Sequence, residues 1–183
     1  VGAAAAQSIA RYVESGGHLL VTYFSGIVDE HAQVRPGGYP GAFRNVLGIR
    51  VEEFYPTASV VLESGARGRW WSELVSLDGA SAVDTYADGP LTGEPAITRH
   101  EYGEGVAWYV STQLESADYA QLFESVTSGA SLTRPDVPEG VELVTRRGDS
   151  TRWTFAINHT TQPVDVGSLV LPPGGHAVLS STL

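Results

Sequence analysis

Apolar positions recur at the start of the chain with the period of a helix. Ala6, Ile9, Ala10 and Val13 fall on one stripe, and Gly16-Gly17 supplies a stop because glycine accepts left-handed backbone at little cost. The next run, "HLLVTYF" (18–24), is apolar, β-branched and aromatic, the composition of a strand buried on both faces of a parallel sheet. A glycine-rich loop to residue 41 follows. "AFRNVLGI" then predicts a short helix closed by Gly48, and "VEEFY" and "ASVVLE" predict two strands separated by Pro56. "RWWSELV" and "AVDTYA" add two strands between turn-rich segments. "PAITRHEYGEGVAWYVSTQL" is the clearest hairpin: Ile97, Arg99 and Glu101 alternate with Thr98 and His100, "GEG" makes the turn, and the apolar second strand belongs inside a sheet. "SADYAQLFESVTSGA" predicts a last helix that opens at Ser116, buries Leu122, Phe123 and Val126, and stops at Gly129.

The pattern changes at "SLTRPDVPEG", where two prolines and a glycine interrupt any regular element and place a domain boundary near residue 135. Beyond it, "VELVTRR", "TRWTFAINHT", "PVDVGSLVL" and "GGHAVLSS" read as short strands joined by turns. The expected organisation is an α/β domain over 1–135 and a small antiparallel β domain over 136–183. At roughly 45 residues, the second is below the size that folds alone without staples and should lean on a neighbour.

Charge narrows the partners. Among 183 residues, 21 acids face 11 bases, a formal net charge of −10, and every base is arginine. Nucleic-acid binders draw affinity from clustered cations, so neither nucleic acid nor an anionic membrane is an expected partner. With no cysteine, thiolate catalysis, cysteine-type zinc sites and disulfides are excluded. No run reaches the roughly 18 apolar residues of a membrane span, and no signal peptide is legible, so a cytoplasmic setting is the expectation. The chain has no methionine and begins inside a helical pattern, as a piece of a longer protein would.

Candidate chemistry centres on "TYFSGIVDEHAQVRPGGYPG" (22–41), at the carboxyl end of a predicted strand, where α/β folds place ligands. Ser25 is followed by Asp29, Glu30 and His31, but a nucleophile elbow needs glycine two residues before and after the serine, and those positions hold Tyr23 and Ile27. The acid pairs Asp29/Glu30, Glu52/Glu53 and Glu101/Glu104 offer no spacing suited to a shared proton site, since strand neighbours point to opposite faces. The five histidines, His18, His31, His100, His159 and His176, never stand at metal-ligating spacings, and "GGYPG" is neither a dinucleotide fingerprint nor a P-loop. Neither a metal nor a cofactor is expected. Asn158 opens a glycosylation sequon of the kind common by chance. Trp108 and Trp153 lie in apolar strands as expected core, whereas the adjacent Trp70 and Trp71 must face opposite ways, leaving one for a strand edge or an interface.

The stretch "GGHLLVTYFSGIVDEHAQVRPGGYPGAFRNVLGIRVEEF" resembles the trimerisation domain of the glycoside hydrolase family 42 β-galactosidases, as does "GEPAITRHEYGEGVAWYVST" near that domain's end. "GVELVTRRGDSTRWTFAINHT" through "LPPGGHAVL" is similar to the family's small C-terminal β domain. The resemblance implies a fold like the class I glutamine amidotransferases (flavodoxin-like layers), with the first strand and helix of that domain left out. It also implies a homotrimer in which each active site is partly walled by a neighbour. The catalytic glutamates of the family lie in an upstream (β/α)8 barrel, so this chain would hold no catalytic residue and meet the β-galactoside only indirectly. Asp29, Glu30, Arg35, Tyr39 and Arg44 are the candidates for a subunit interface or pocket rim. The alternatives are a carbohydrate-binding module, favoured by the tryptophans, and an amidotransferase-like enzyme using Ser25 and His31.

Overall fold

The computed structural model describes residues 1–130, 132 and 136–182, and the chain divides into two units, Val1–Ser131 and Leu132–Leu183. The boundary expected near residue 135 lies outside the described residues. Unit 1 runs α1 (Ala3–Glu14), β1 (His18–Thr22), α2 (Arg44–Leu47), β2 (Ile49–Val61), β3 (Arg67–Leu77), β4 (Ser81–Thr85), β5 (Pro95–Tyr102), β6 (Gly105–Val110), β7 (Gln113–Leu114) and α3 (Ser116–Thr127). Its strands form two sheets, ordered β1-β6-β5-β4 and β2-β3-β7. Strand predominates, since the three helices span 12, 4 and 12 residues.

The central strand is β6, and its continuous apolar run follows from burial on both faces. Ala107 and Tyr109 join Val13, Val21, Leu47 and Ile49 under α1 and α2, whereas Trp108 and Val110 join Ile97, Leu122 and Val126 under α3. The parallel sheet expected from "HLLVTYF" needs correction. β1 is half-buried with only Val21 inside, and its pairing with β6 is the one parallel pairing among the described strands. β5 enters β6 through the two-residue turn Gly103-Glu104, and a connection that short permits only antiparallel pairing.

The stops fall where glycine is found. Gly16 adopts φ +100°, and the Gly17 N–H returns to the Tyr12 carbonyl at 2.9 Å, ending α1. The end of α1 then rests on the β5–β6 turn so closely that a Cβ on Gly105 would collide with the carbonyl oxygens of Val13 and Gly17. Two further expectations change. The strands predicted either side of Pro56 are one strand, β2, with irregularities between Val51 and Glu53 and between Thr57 and Val60. Proline is tolerated there because β2 is the edge of its sheet. In α3, Leu122 and Val126 are buried one turn apart, but Phe123 is 52% exposed, since the adjacent position rotates off that stripe. The residue flanking the α3 start is Glu115, with Ser116 already inside the helix.

Unit 2 comprises β8 (Val141–Arg147), β9 (Thr151–Asn158), β10 (Val164–Val166), β11 (Leu169–Leu171) and β12 (His176–Thr182). β12-β9-β8 is an antiparallel sheet and β10-β11 a separate hairpin. Ala156 and Asn158 are its buried β9 positions, so Trp153, on the other parity, is 38% exposed and is not the core residue expected. The amide of Asn158 is 1% exposed: Nδ2 donates to the carbonyls of Gln162, Leu171 and Pro172, and Oδ1 accepts from the Thr160 N–H and hydroxyl. The sequon asparagine is therefore an internal brace between β9 and the β10–β11 segment.

Candidate functional site

The loop after β1 folds on itself. Val28 and Val34 form an antiparallel bridge, and the carboxylate of Asp29 accepts the N–H groups of Gln33 (2.9 Å) and His31 (2.8 Å), which hold its carboxyl below the ordinary range. Glu30 lies 3.8 Å from Arg35, whose Nη2 also donates to the Val1 carbonyl at 2.5 Å. Arg44 donates to the Gly37 carbonyl. The Tyr39 carbonyl accepts the Val51 N–H at 2.8 Å, and the Tyr39 ring stacks on Phe54 with centroids 5.0 Å apart. The five candidate residues thus divide: Glu30 and Arg35 meet, Asp29 and Arg44 bind loop backbone, and Tyr39 joins an aromatic cluster. No hydrogen bond joins Ser25 to His31 among the described residues; the His31 N–H is taken by Asp29.

The aromatic cluster is the most built feature of this end of the sheet. Tyr23 and Phe24 from the end of β1, Phe54 from β2 and Trp71 from β3 surround one another, with Phe24 edge-on to Trp71 at 5.0 Å and Phe54 5.3 Å from Trp71. Beneath it lies Glu73, fully buried. Its Oε1 accepts the Phe24 N–H (3.0 Å) and the Trp71 indole N–H (2.9 Å), and its Oε2 accepts the Tyr109 hydroxyl at 2.5 Å. Burial pushes the Glu73 carboxyl up, against the pull of those three donors. Burial, and next the Glu73 charge, push the Tyr109 phenol well above its ordinary range, so it remains a donor. One carboxylate thus ties together β1, β3 and β6.

Residues 1–133 match the family described as the β-galactosidase trimerisation domain, and residues 140–181 match the β-galactosidase C-terminal domain. The chain belongs to the glycoside hydrolase family 42 β-galactosidases. The β-galactosidase LacZ of Heyndrickxia coagulans is 40% identical over 172 residues, covering 88% of this chain and 26% of that protein. Among solved structures, the β-galactosidase of Rahnella sp. R3 matches with a TM-score of 0.80 at 30% identity, covering 97% of this chain and 30% of that one. The β-galactosidase of Bacillus circulans sp. alkalophilus matches with a TM-score of 0.81 at 27% identity, covering 96% and 30%. The chain spans about a quarter of the length of the relative from Heyndrickxia.

Within this family 42 trimerisation domain, Glu73, Phe24 and Phe54 are the residues that motif reasoning passed over. The available signal was an acid inside the mostly apolar "WWSELV", two positions from Trp71 and so on the same strand face. A cleft of about 810 Å³ also runs beside α3, lined by His18, Arg99, Glu104, Trp108, Gln121 and Glu124. Three of the histidines are tied into the fold or its surface: His18 meets the Val126 carbonyl at 2.7 Å, His100 the Val46 carbonyl at 2.8 Å and His159 the Glu142 carboxylate at 2.9 Å. Among the described residues no group of three or more histidines and acids could hold a metal ion, and no helix is long and apolar enough to cross a membrane.

Proposed function

We propose that this chain is the non-catalytic oligomerisation and C-terminal portion of a retaining β-galactosidase that hydrolyses terminal β-D-galactosides in the cytoplasm. The carrying observation is the succession of two family matches, 1–133 and then 140–181, in one chain. In this reading an upstream (β/α)8 barrel of the same protein holds the catalytic glutamates, and the working assembly is a homotrimer. Residues 1–135 form the middle domain and 136–183 the small β domain. A central sheet with α1 and α2 on one face and α3 on the other supports an amidotransferase-like, layered α/β class for the middle domain. Asp29, Glu30, Arg35, Tyr39 and Arg44 shape a loop against the neighbouring subunit, at the rim of its sugar pocket. The net charge of −10 supports a protein partner over nucleic acid or an anionic membrane.

Two measurements test this. The chain is expected to turn over no chromogenic β-galactoside; turnover abolished by replacing one of its own carboxylates overturns the reading. Light scattering is expected to give the mass of three copies, and a strict monomer at every concentration counts against the assembly role. The cleft beside α3, with Trp108 in its wall, favours one rival, a carbohydrate-binding module. Saturable quenching of tryptophan fluorescence by galactosides would support that rival, and a flat titration is expected.

A further inference from the structure

Among the described residues Glu73 is the only buried acid, and its two oxygens are not equivalent. Oε1 faces two N–H groups, the Phe24 backbone at 3.0 Å and the Trp71 indole at 2.9 Å, neither of which can accept a hydrogen bond. Oε2 faces the Tyr109 hydroxyl at 2.5 Å, which can donate or accept. A proton taken up by the carboxylate therefore has one place to go, Oε2, and its arrival reverses that bond: Oε2–H donates and Tyr109 accepts. The Tyr109 hydrogen must then turn away, and the neighbouring Tyr86 hydroxyl is already engaged with Ser111 Oγ at 2.7 Å. At Oε1 a charged acceptor becomes a neutral carbonyl, and charge-assisted hydrogen bonds are roughly twice as strong as neutral ones.

Phe24 loses most by that change. It holds φ +57°, left-handed backbone that a bulky residue keeps only where its surroundings impose it, and its N–H is fastened to Glu73. Beyond this root the loop has braces of its own. Val28 and Val34 form their bridge, and the Asp29 carboxylate takes the N–H groups of Gln33 and His31. Those two bonds hold the Asp29 carboxyl below its ordinary range, whereas burial pushes the Glu73 carboxyl up. Falling pH reaches Glu73 first and leaves the loop body braced.

We infer that Glu73 is a proton-operated latch on the root of the 22–41 loop: one proton on Oε2 loosens its hold on the Phe24 N–H and lets the backbone at Phe24 leave its left-handed conformation. The latch depends on neither the parent enzyme nor the assembly proposed above, since every group in it belongs to this chain's own fold. Facing Glu73 are Trp71 on its own strand, the Tyr109 phenol from β6 and, behind that, the Tyr86 phenol. Burial pushes both phenols up, Tyr86 to about 12, so they stay neutral while a carboxyl titrates. None of the ion pairs among the described residues includes Glu73. The direction follows from linkage. The Phe24 N–H favours the anion, so a state that has given up this bond while Tyr109 and Trp71 still cover the carboxyl binds the proton more tightly. Proton uptake and release of Phe24 thus promote each other. Global unfolding is a different equilibrium, because there water reaches the carboxyl and the proton is held less tightly.

Amide hydrogen exchange of the 183-residue chain, read by NMR from about pH 4 to 8 and divided by the intrinsic rate at each pH, tests this. Phe24 protection is expected to fall about tenfold on acidification, with the same midpoint as the carbon shift of the Glu73 carboxyl. The Asp29 N–H, bonded to the Gln33 carbonyl inside the loop, should keep its protection. Glu73→Gln copies the protonated form, with a neutral carbonyl toward Phe24 and an N–H toward Tyr109, and should show the low Phe24 protection at every pH. Tyr109→Phe removes a donor that favours the anion and should move the midpoint of the wild-type transition to higher pH. Wild-type Phe24 protection that ignores pH, or that titrates with a midpoint other than that of Glu73, overturns the latch. So does a folded Glu73→Gln variant that protects Phe24 at neutral pH as wild type does.

Discussion

Removing the Glu73 carboxylate should loosen the whole strand end that carries the loop. In Glu73→Ala the Tyr109 hydroxyl, on a residue 1% exposed, is left without its acceptor, and a buried unsatisfied donor costs about 1–3 kcal/mol. The Phe24 N–H and the Trp71 indole lose a charged acceptor but lie in exposed or half-buried residues where water can replace it, which adds about 1 kcal/mol in total. Relief of the carboxylate's own desolvation offsets part of this, giving a net loss of about 2–4 kcal/mol. Urea unfolding read by tryptophan fluorescence measures it, since three of the four tryptophans are in unit 1. Glu73→Gln keeps the shape, an acceptor for two donors and a new donor toward the Tyr109 oxygen, and should cost about 1 kcal/mol. The pH dependence adds a signed check. The folded state raises the Glu73 carboxyl above its ordinary 4.5, so it binds the proton more tightly than the unfolded chain does. The stability Glu73 contributes is complete below the unfolded value and is lost as pH rises through the folded one. The advantage of wild type over Glu73→Gln should therefore shrink as pH rises from that unfolded value, then level off. A Glu73→Ala variant within about 0.5 kcal/mol of wild type would refute the brace.

Gly105→Ala should cost more than about 3 kcal/mol, because the added methyl meets backbone oxygens of Val13 and Gly17 that cannot swing aside; thermal unfolding in which the substitution is neutral would mean that α1 sits less closely on the hairpin. Asn158→Ala removes five hydrogen bonds and should cost about 2–4 kcal/mol in unit 2, with amide exchange accelerated in β9 and β11 and unchanged in β5 and β6. Uniform acceleration across both units would contradict that locality.

Elements set by local rules were legible in the sequence. The apolar stripe and double glycine delimit α1, Gly48 closes α2 at φ +61°, and period-2 alternation with a glycine turn marks β5 and β6. What escaped depends on partners distant along the chain. Pro56 looks like a break until β2 is known to be an edge, which its sheet order decides. Phe123 looks as apolar as Leu122, and only the direction from which the sheet approaches α3 selects between them.

Glu73 is the sharpest case. An acid in a strand is by default solvated, and nothing within a few residues says otherwise except Trp71 on the same face. Its other donors come from Phe24 and Tyr109, 49 and 36 positions away, so its role exists only once β1, β3 and β6 are assembled. The same dependence explains why the crowded loop at 22–41 invites an active-site reading. Its acids and arginines are conspicuous in sequence, yet in the fold they mostly bind loop backbone or one another. The side chain left standing out on strained backbone is Phe24, a residue no catalytic motif would select.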